Sequence, residues 1–301
     1  MTPRLIEDLF ARQVQVWDGL AAGIDSLSRA TRREARIDGV RLEIRHIPHR
    51  STSTSARVDS HSIASRPCFL CVRNRPEKQE GLEWINGWTV LCNPYPILDR
   101  HLTIVAPDHV PQAMLGTRAA FGRMLSLSAD LPGYMTLYNG PRCGASAPDH
   151  LHLQACRVGG VPLFEDLPDH REGTLPAYLR TVVAIRGDDA AVLERRVTDL
   201  MELLAESSAG NGAEPMVNVL ATRLPDSWTV AVFPRVGHRP AAYHDGSLLW
   251  SPGAIDMAGV LVLPRDGDME PLKTGQIRDG FAEVSMSQEE LDGILARWEE
   301  R

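Results

Sequence analysis

One stretch constrains this chain more than any other: His150-Leu-His-Leu-Gln-Ala-Cys156 alternates polar and apolar residues with a period of two. On a β-strand, side chains two apart share a face. The spacing therefore predicts His150, His152 and Gln154 projecting together, with Leu151 and Leu153 packed into a core behind them. A solvated strand face is the bland alternative. Two imidazoles drawn from only 10 histidines, placed directly after a Gly-, Ser- and Pro-containing loop, favour a site instead.

The chemistry open to such a face follows from its side chains. An imidazole that is neutral near pH 7 is a good nucleophile toward phosphorus, and a covalent intermediate splits one displacement into two steps. A neighbouring glutamine can hydrogen-bond a phosphoryl oxygen without taking a proton. The preceding loop, Asn139-Gly140-Pro141-Arg142-Cys143-Gly144-Ala145-Ser146, offers backbone amides, a hydroxyl and a guanidinium, the donors a phosphate needs. A second feature is Cys68-Phe-Leu-Cys71. Two thiolates three positions apart can reach one metal ion, and zinc prefers four nitrogen or sulfur ligands, so two more would have to come from elsewhere. Two small buried hydrophobes in a turn are the other reading of that pair.

Composition narrows the partners. At 301 residues, 43% hydrophobic and 24% charged, the chain can bury one large core or two smaller ones. A net charge of −7 gives no global positive field, which argues against nucleic acid and anionic membranes and requires any bound anion to be held locally. No apolar run approaches the roughly 20 residues of a membrane span, and the start lacks a signal-peptide core, so a cytoplasmic location is expected. Five cysteines, odd and sparse, argue against a disulfide framework.

Along the chain, Ile6, Leu9, Phe10, Val14, Trp17, Leu20 and Ile24 recur with helical period and predict a docking helix. RLEIRHI reads as a strand and the polar, Ser-rich HRSTSTSARVDSHS as a long loop. WTVLCNPYP and ILDRHLTIVAP read as two strands, followed by a helix from about Pro111 to Asp130, then by the strand YMTLYNG. Helices are expected at TLPAYLRTVVAI and DDAAVLERRVTDLMELLAES. Strands are expected at MVNVLATRL, WTVAVFPRV, LLWSPGAI and AGVLVLPR. A terminal helix opens on a Ser287/Glu290 capping box. The echo of strand order between the halves leaves a diverged internal duplication open.

Taken together, CFLC, NPYPILDRHLTIV and YNGPRCGASAPDHLHLQA resemble the histidine triad superfamily, in its branch of galactose-1-phosphate uridylyltransferase, diadenosine tetraphosphate phosphorylase and GDP-hexose phosphorylases. That branch carries HxHxQ where the hydrolases carry HxHxH. HRSTSTSARVD, RPCFLC, PRVGHRPAAY and SPGAIDMAGVLVLPR are similar to a bacterial nucleotidyltransferase-like group classed as a domain of unknown function.

The resemblance implies an α+β, histidine-triad-like fold with two antiparallel half-barrel sheets and helices packed outside. Residues 1–165 would form the half bearing the metal site and HxHxQ, and 166–301 the half completing the pocket or a dimer contact. It implies His152 as the nucleophile on the α-phosphorus of a nucleotide and Gln154 as the holder of phosphoryl oxygens. Asn93 would lie near the nucleotide sugar, with Asn139, Gly144 and Ser146 as phosphate contacts. Arg142 is a further phosphate or base candidate without a firm counterpart, and Arg73 reads better as a solvated arginine. His150 would be a metal ligand with Cys68, Cys71 and His109, a tetrahedral structural zinc set. His101 reads as structural, while His238 and Arg239 are candidates to reach a phosphate. The implied activity is a nucleotidyltransferase or phosphorylase acting on a nucleotide sugar or dinucleoside polyphosphate. Phosphate or a sugar phosphate would be the acceptor, and the protein a homodimer. The alternatives are a nucleotide hydrolase and a catalytically silent nucleotide-binding protein.

Overall fold

The computed structural model describes residues 1–117, 119–167, 173–175, 178–207 and 214–301. The amphipathic N-terminal segment forms two helices rather than one, α1 (Pro3–Val16) and α2 (Asp18–Ser28), because Trp17 between them is extended. A hairpin follows, β1 (Thr31–Ile37) and β2 (Val40–His46), turning on Asp38-Gly39, both at positive φ. That dipeptide is the type I′ signal whose twist suits a two-residue hairpin. The expected polar loop after β2 is instead partly helical: a 3-10 turn over Pro48–Arg50, α3 (Ser51–Thr54) and α4 (Ser60–Ser65), the last capped by Asp59, whose carboxylate accepts from the Ser62 amide.

Three strands then lead into a helix: β3 (Gly81–Glu83), β4 (Thr89–Cys92), β5 (Leu102–Val105) and α5 (Ala120–Asp130). The helix is shorter than its expected start at Pro111, since Met114 and Leu115 donate their amides to the Glu214 carboxylate at 3.0 and 2.9 Å rather than to a helical ladder. The chain continues through β6 (Tyr134–Asn139), β7 (His152–Arg157), α6 (Pro162–Asp166), β8 (Gly173–Thr174), β9 (Val183–Gly187) and α7 (Ala190–Ser207). The helix expected over 174–185 is a correction. Residues 176–177 lie outside the described residues, and Val183, Ala184 and Ile185 pair as strand with β11 (Trp228–Pro234). The apolar run there fits either period, and strand pairing decides it. Between lies β10 (Val217–Arg223); after β11 come α8 (Ala241–His244), α9 (Ala254–Met257), β12 (Val260–Leu263), α10 (Thr274–Val284) and α11 (Gln288–Glu299). The strand expected at LLWSPGAI is turn leading into α9. The Ser287/Glu290 capping box opens α11 as read from the sequence.

Among the described residues, the strands form a nine-stranded sheet in the order β3-β4-β5-β7-β6-β10-β11-β9-β8 and a small sheet β1-β2-β12. All pairs of the large sheet are antiparallel. The architecture is thus α+β with antiparallel strands and external helices, and its two halves are fused. Read outward from the central β6–β10 seam, each half runs in the same order: β6, β7, β5, β4 on one side and β10, β11, β9, β8 on the other. In each, the helix, α5 or α7, is inserted between the same two strands.

The two faces of the large sheet are covered differently. Leu153, Val219 and Val230 point into a core under α1, α5, α7 and α11. Leu137, Leu220, Ala231 and Phe233 face β2, β12, α9 and α10. Alternation along β7 therefore places Leu153 in the first core and its neighbours His152 and Gln154 on the second face. No described helix is long and apolar enough to cross a membrane.

Candidate active site

A cavity of about 780 Å³ opens on that second face, and His152, Gln154, Asn139, Gly144, Ser146 and Asn93 all line it. His152 is buried, and its Nδ1 lies 2.8 Å from the His150 carbonyl oxygen. A carbonyl can only accept, so Nδ1 carries the proton and Nε2 keeps its lone pair. Burial, the dominant influence, pushes the ring down to about 4, which leaves it neutral at neutral pH.

The backbone of His152 is clamped by Gln112, a buried residue with no signal in the sequence. His152 N donates to Gln112 Oε1 at 2.8 Å, and Gln112 Nε2 donates to the carbonyls of His152 at 3.0 Å and Asn139 at 2.9 Å. Gln112→Ala would leave one buried donor and two acceptors unmatched. A loss of about 3 kcal/mol in unfolding free energy is expected, measurable by urea titration, since each orphaned group costs about 1–3 kcal/mol. A loss below about 1 kcal/mol would contradict the clamp.

Gln154 is oriented by a second relay. The Ile97 amide donates to His101 Nδ1 at 3.2 Å, so His101 Nε2 holds the proton and donates to Gln154 Oε1 at 2.7 Å. With its oxygen engaged, Gln154 keeps its amide NH2 for a ligand. His101 is wholly buried and held down to about 3, by burial first and then by the Arg50 charge. It is structural, as expected from the sequence.

The loop donors are set in the same manner. Asn139 Oδ1 accepts from Asn218 Nδ2 and from the Ala254 amide, both at 2.8 Å, which leaves its own NH2 as a donor. Gly144 has φ of +98°, and a Cβ there would meet the Gly253 Cα at 3.0 Å, so the position requires glycine on two counts. Asn93 serves its turn, accepting from the Tyr95 amide and donating to Thr103 Oγ1. Arg142 is a correction: it is exposed and does not line the cavity, because the turn buries its neighbour Cys143 instead.

His150 departs from the shared-face reading. β7 begins only at His152, and His150 turns away from the cavity toward the cysteine pair. Its Nδ1 lies 3.5 Å from Cys68 Sγ and 3.6 Å from Cys71 Sγ, and His109 Nδ1 lies 3.3 Å from Cys71 Sγ. Ligand atoms of Cys68, Cys71, His109 and His150 all fall within 4.8 Å of one another, so the four could hold a metal ion. The outer groups suit that role. His150 Nε2 donates to the Ala106 carbonyl at 3.0 Å, fixing the tautomer that presents Nδ1 to the cluster. The two rings meet edge to face at 5.2 Å. Burial pushes the Cys68 thiol up to about 11, so only a bound cation would hold it as thiolate near pH 7.

The buried histidines make stability depend on pH. His101 and His152 stay neutral when folded, at about 3 and about 4, whereas the unfolded chain protonates both near 6.5. Between about pH 6.5 and 4 the unfolded state therefore binds more protons, and stability falls as pH falls, by up to about 1.4 kcal/mol per pH unit for each ring. A loss of roughly 4 kcal/mol between pH 7 and 5, about 2 from each ring, is expected from urea midpoints; a flat profile would contradict the assignment.

Comparison with known proteins places the architecture. Residues 9–157 match the model of a domain of unknown function, DUF4922. None of the curated proteins matches the sequence. Yeast Ap4A phosphorylase Apa2 in complex with AMP superimposes with a TM-score of 0.63 at 17% identity, over 92% of this chain and 96% of that one. Apa2 in complex with Ap4A gives 0.62 at 16% identity, over 91% and 97%. At such identity the likeness is one of fold: the chain carries the α+β fold of Apa2 over nearly its whole length.

Proposed function

We propose that this chain is a nucleotidyl-transferring enzyme of phosphorylase type, acting on a dinucleoside polyphosphate or a nucleotide sugar. The carrying observation is the aim of His152: its Nδ1 proton is spent on the His150 carbonyl, so a neutral Nε2 remains for attack beside the amide of Gln154. In the first step Nε2 bonds the α-phosphorus while the phosphoanhydride P–O bond breaks, the leaving oxygen departing with the electron pair. In the second, an oxygen of phosphate or of a sugar phosphate attacks the same phosphorus and releases His152. Gln154, Asn139 and the Gly144–Ser146 backbone would hold the phosphoryl oxygens as charge develops.

The reading draws further support from the yeast Ap4A phosphorylase, whose fold covers nearly the whole chain. Cys68, Cys71, His109 and His150 would hold zinc, as suits two thiolates and two imidazoles. A metal there supplies a structural clamp, tying the Cys68–Cys71 turn to the strand that starts at His152. The strand order further supports halves, 1–165 and 166–301, that descend from one repeated unit. Of these only the first keeps the chemistry, since Ala231 and Phe233 occupy the corresponding face of β11 and are fully buried.

The test is covalent capture. Protein incubated with α-³²P-labelled dinucleoside polyphosphates and nucleotide sugars should carry acid-labile label at His152, discharged by inorganic phosphate or a sugar phosphate. Turnover with no label on any substrate of the panel would refute the two-step route, and release by water alone would make the protein a hydrolase.

A further inference from the structure

The cavity wall holds more positive charge than the chemistry above uses. Arg50, Arg57, Arg66 and Arg239 line it, against a single described carboxylate, Asp256. Arg66 is paired with Asp149 at 3.0 Å. Asp256 is engaged by other donors, accepting from Trp250 Nε1, the Gly253 amide and the Val262 amide, and its charge acts on Arg50 only from beyond ion-pair distance. Arg50 and Arg239 form no ion pair among the described residues. Each is anchored to neutral oxygens instead: Arg50 Nη1 to the Tyr95 carbonyl at 2.6 Å, and Arg239 to Ser251 Oγ at 2.9 Å and the carbonyls of Thr54 and Ala56 at 3.1 and 3.3 Å.

Anchoring of this kind fixes a guanidinium without neutralising it. Arg50 goes further, because its Nε is removed from solvent and has no partner. A donor shut away from water with nothing to bond is costly unless something pairs with it, even on a half-buried side chain. The position of Arg50 shows what that partner would meet. Arg50 lines the same cavity as His152 and Gln154, held there on the carbonyl of Tyr95, two residues beyond Asn93. Arg239 reaches the same wall, since the Thr54 and Ala56 carbonyls that hold it belong to the segment directly after Arg50, while Ser251 ties it to the stretch whose Gly253 abuts Gly144. His238 lines the same stretch of wall.

We propose that Arg50, Arg239 and His238 form a second anion subsite, separate from the Asn139–Ser146 loop, which takes a phosphate dianion. Resting on the nucleotidyl-transfer reading, that dianion is the phosphate group that leaves from or attacks the α-phosphorus, and the two cations would bind it in either direction of the reaction. The ligand chemistry is the same for inorganic phosphate and for the phosphate of a hexose 1-phosphate. Arginine suits the task, since its fork can bond two phosphoryl oxygens at once.

Calorimetric titration decides it. Inorganic phosphate and hexose 1-phosphate are titrated separately, at constant ionic strength, into wild type, Arg50→Gln, Arg239→Gln and Arg50→Lys, each with and without saturating AMP. Both glutamine variants should bind the phosphate probe at least about ten-fold more weakly, as loss of charge-assisted hydrogen bonds entails. Arg50→Lys, which keeps the charge, should recover part of the affinity. The probe held more tightly identifies the natural source. Phosphate affinity within about two-fold of wild type in both glutamine variants, with circular dichroism showing them folded, would overturn the subsite. Failure of AMP to bind wild type would count against nucleotidyl transfer instead, while the arm without AMP still decides the subsite.

Discussion

His152→Asn is expected to lower kcat by about 10⁴-fold or more and to abolish covalent labelling. Losses of this order follow removal of a nucleophile, and 10⁴ corresponds to about 5 kcal/mol of barrier. Asparagine is the informative replacement because its amide can still donate to the His150 carbonyl, as Nδ1 does over 2.8 Å in the native protein. The strand start and its Gln112 clamp, which engages only the backbone of His152, should survive. Nucleotide binding by the variant should therefore remain within a few-fold of wild type, and turnover alone should collapse. A variant retaining more than a tenth of wild-type kcat would exclude His152 as the nucleophile.

The second large effect is on stability. Metal analysis of protein purified without added metal should find roughly one zinc per chain, and chelation should destabilise the fold by about 5 kcal/mol. That is less than the 10–16 kcal/mol typical of peptides folded by zinc alone, because the two large cores persist without the ion. For a chain of this size each kcal/mol moves Tm by about 2 °C, so a drop near 10 °C is expected. Cys68→Ala should approach the same value. The cluster joins the Cys68–Cys71 turn to His109 and to His150, whose carbonyl fixes the His152 ring. Chelation should therefore also impair turnover at temperatures where the protein remains folded. Protein free of metal and insensitive to chelators would remove the structural role.

Local periodicity carried the sequence reading wherever local structure was decisive. The alternation of β7, the long amphipathic α7 and the capping box of α11 are written in neighbouring residues, and all three elements form. The start of α5 is not written there, because it is set by Glu214, which lies 100 residues from Met114 and captures its amide. The segment before Gly187 has spacing that suits helix or strand, and only pairing with β11 makes it strand. At the site, the polar loop and the histidine pair were legible from their donors. The separation of His150 from His152 was not, since it depends on where the strand begins. Gln112 and Asn218 act by aiming other groups, and nothing in their immediate sequence distinguishes them from ordinary polar residues.

The β6–β10 seam bears on what counts as the smallest working piece of this protein. Asn139 lies at the end of β6, opposite Asn218 of β10, and its donor is aimed by Asn218 and Ala254, both beyond residue 157, where the matched domain ends. Inheritance and operation therefore have different boundaries. A fragment cut at the edge of the recognisable domain would keep His152 and the Cys68, Cys71, His109 and His150 cluster, yet lose the partners that orient the Asn139 side chain across from it.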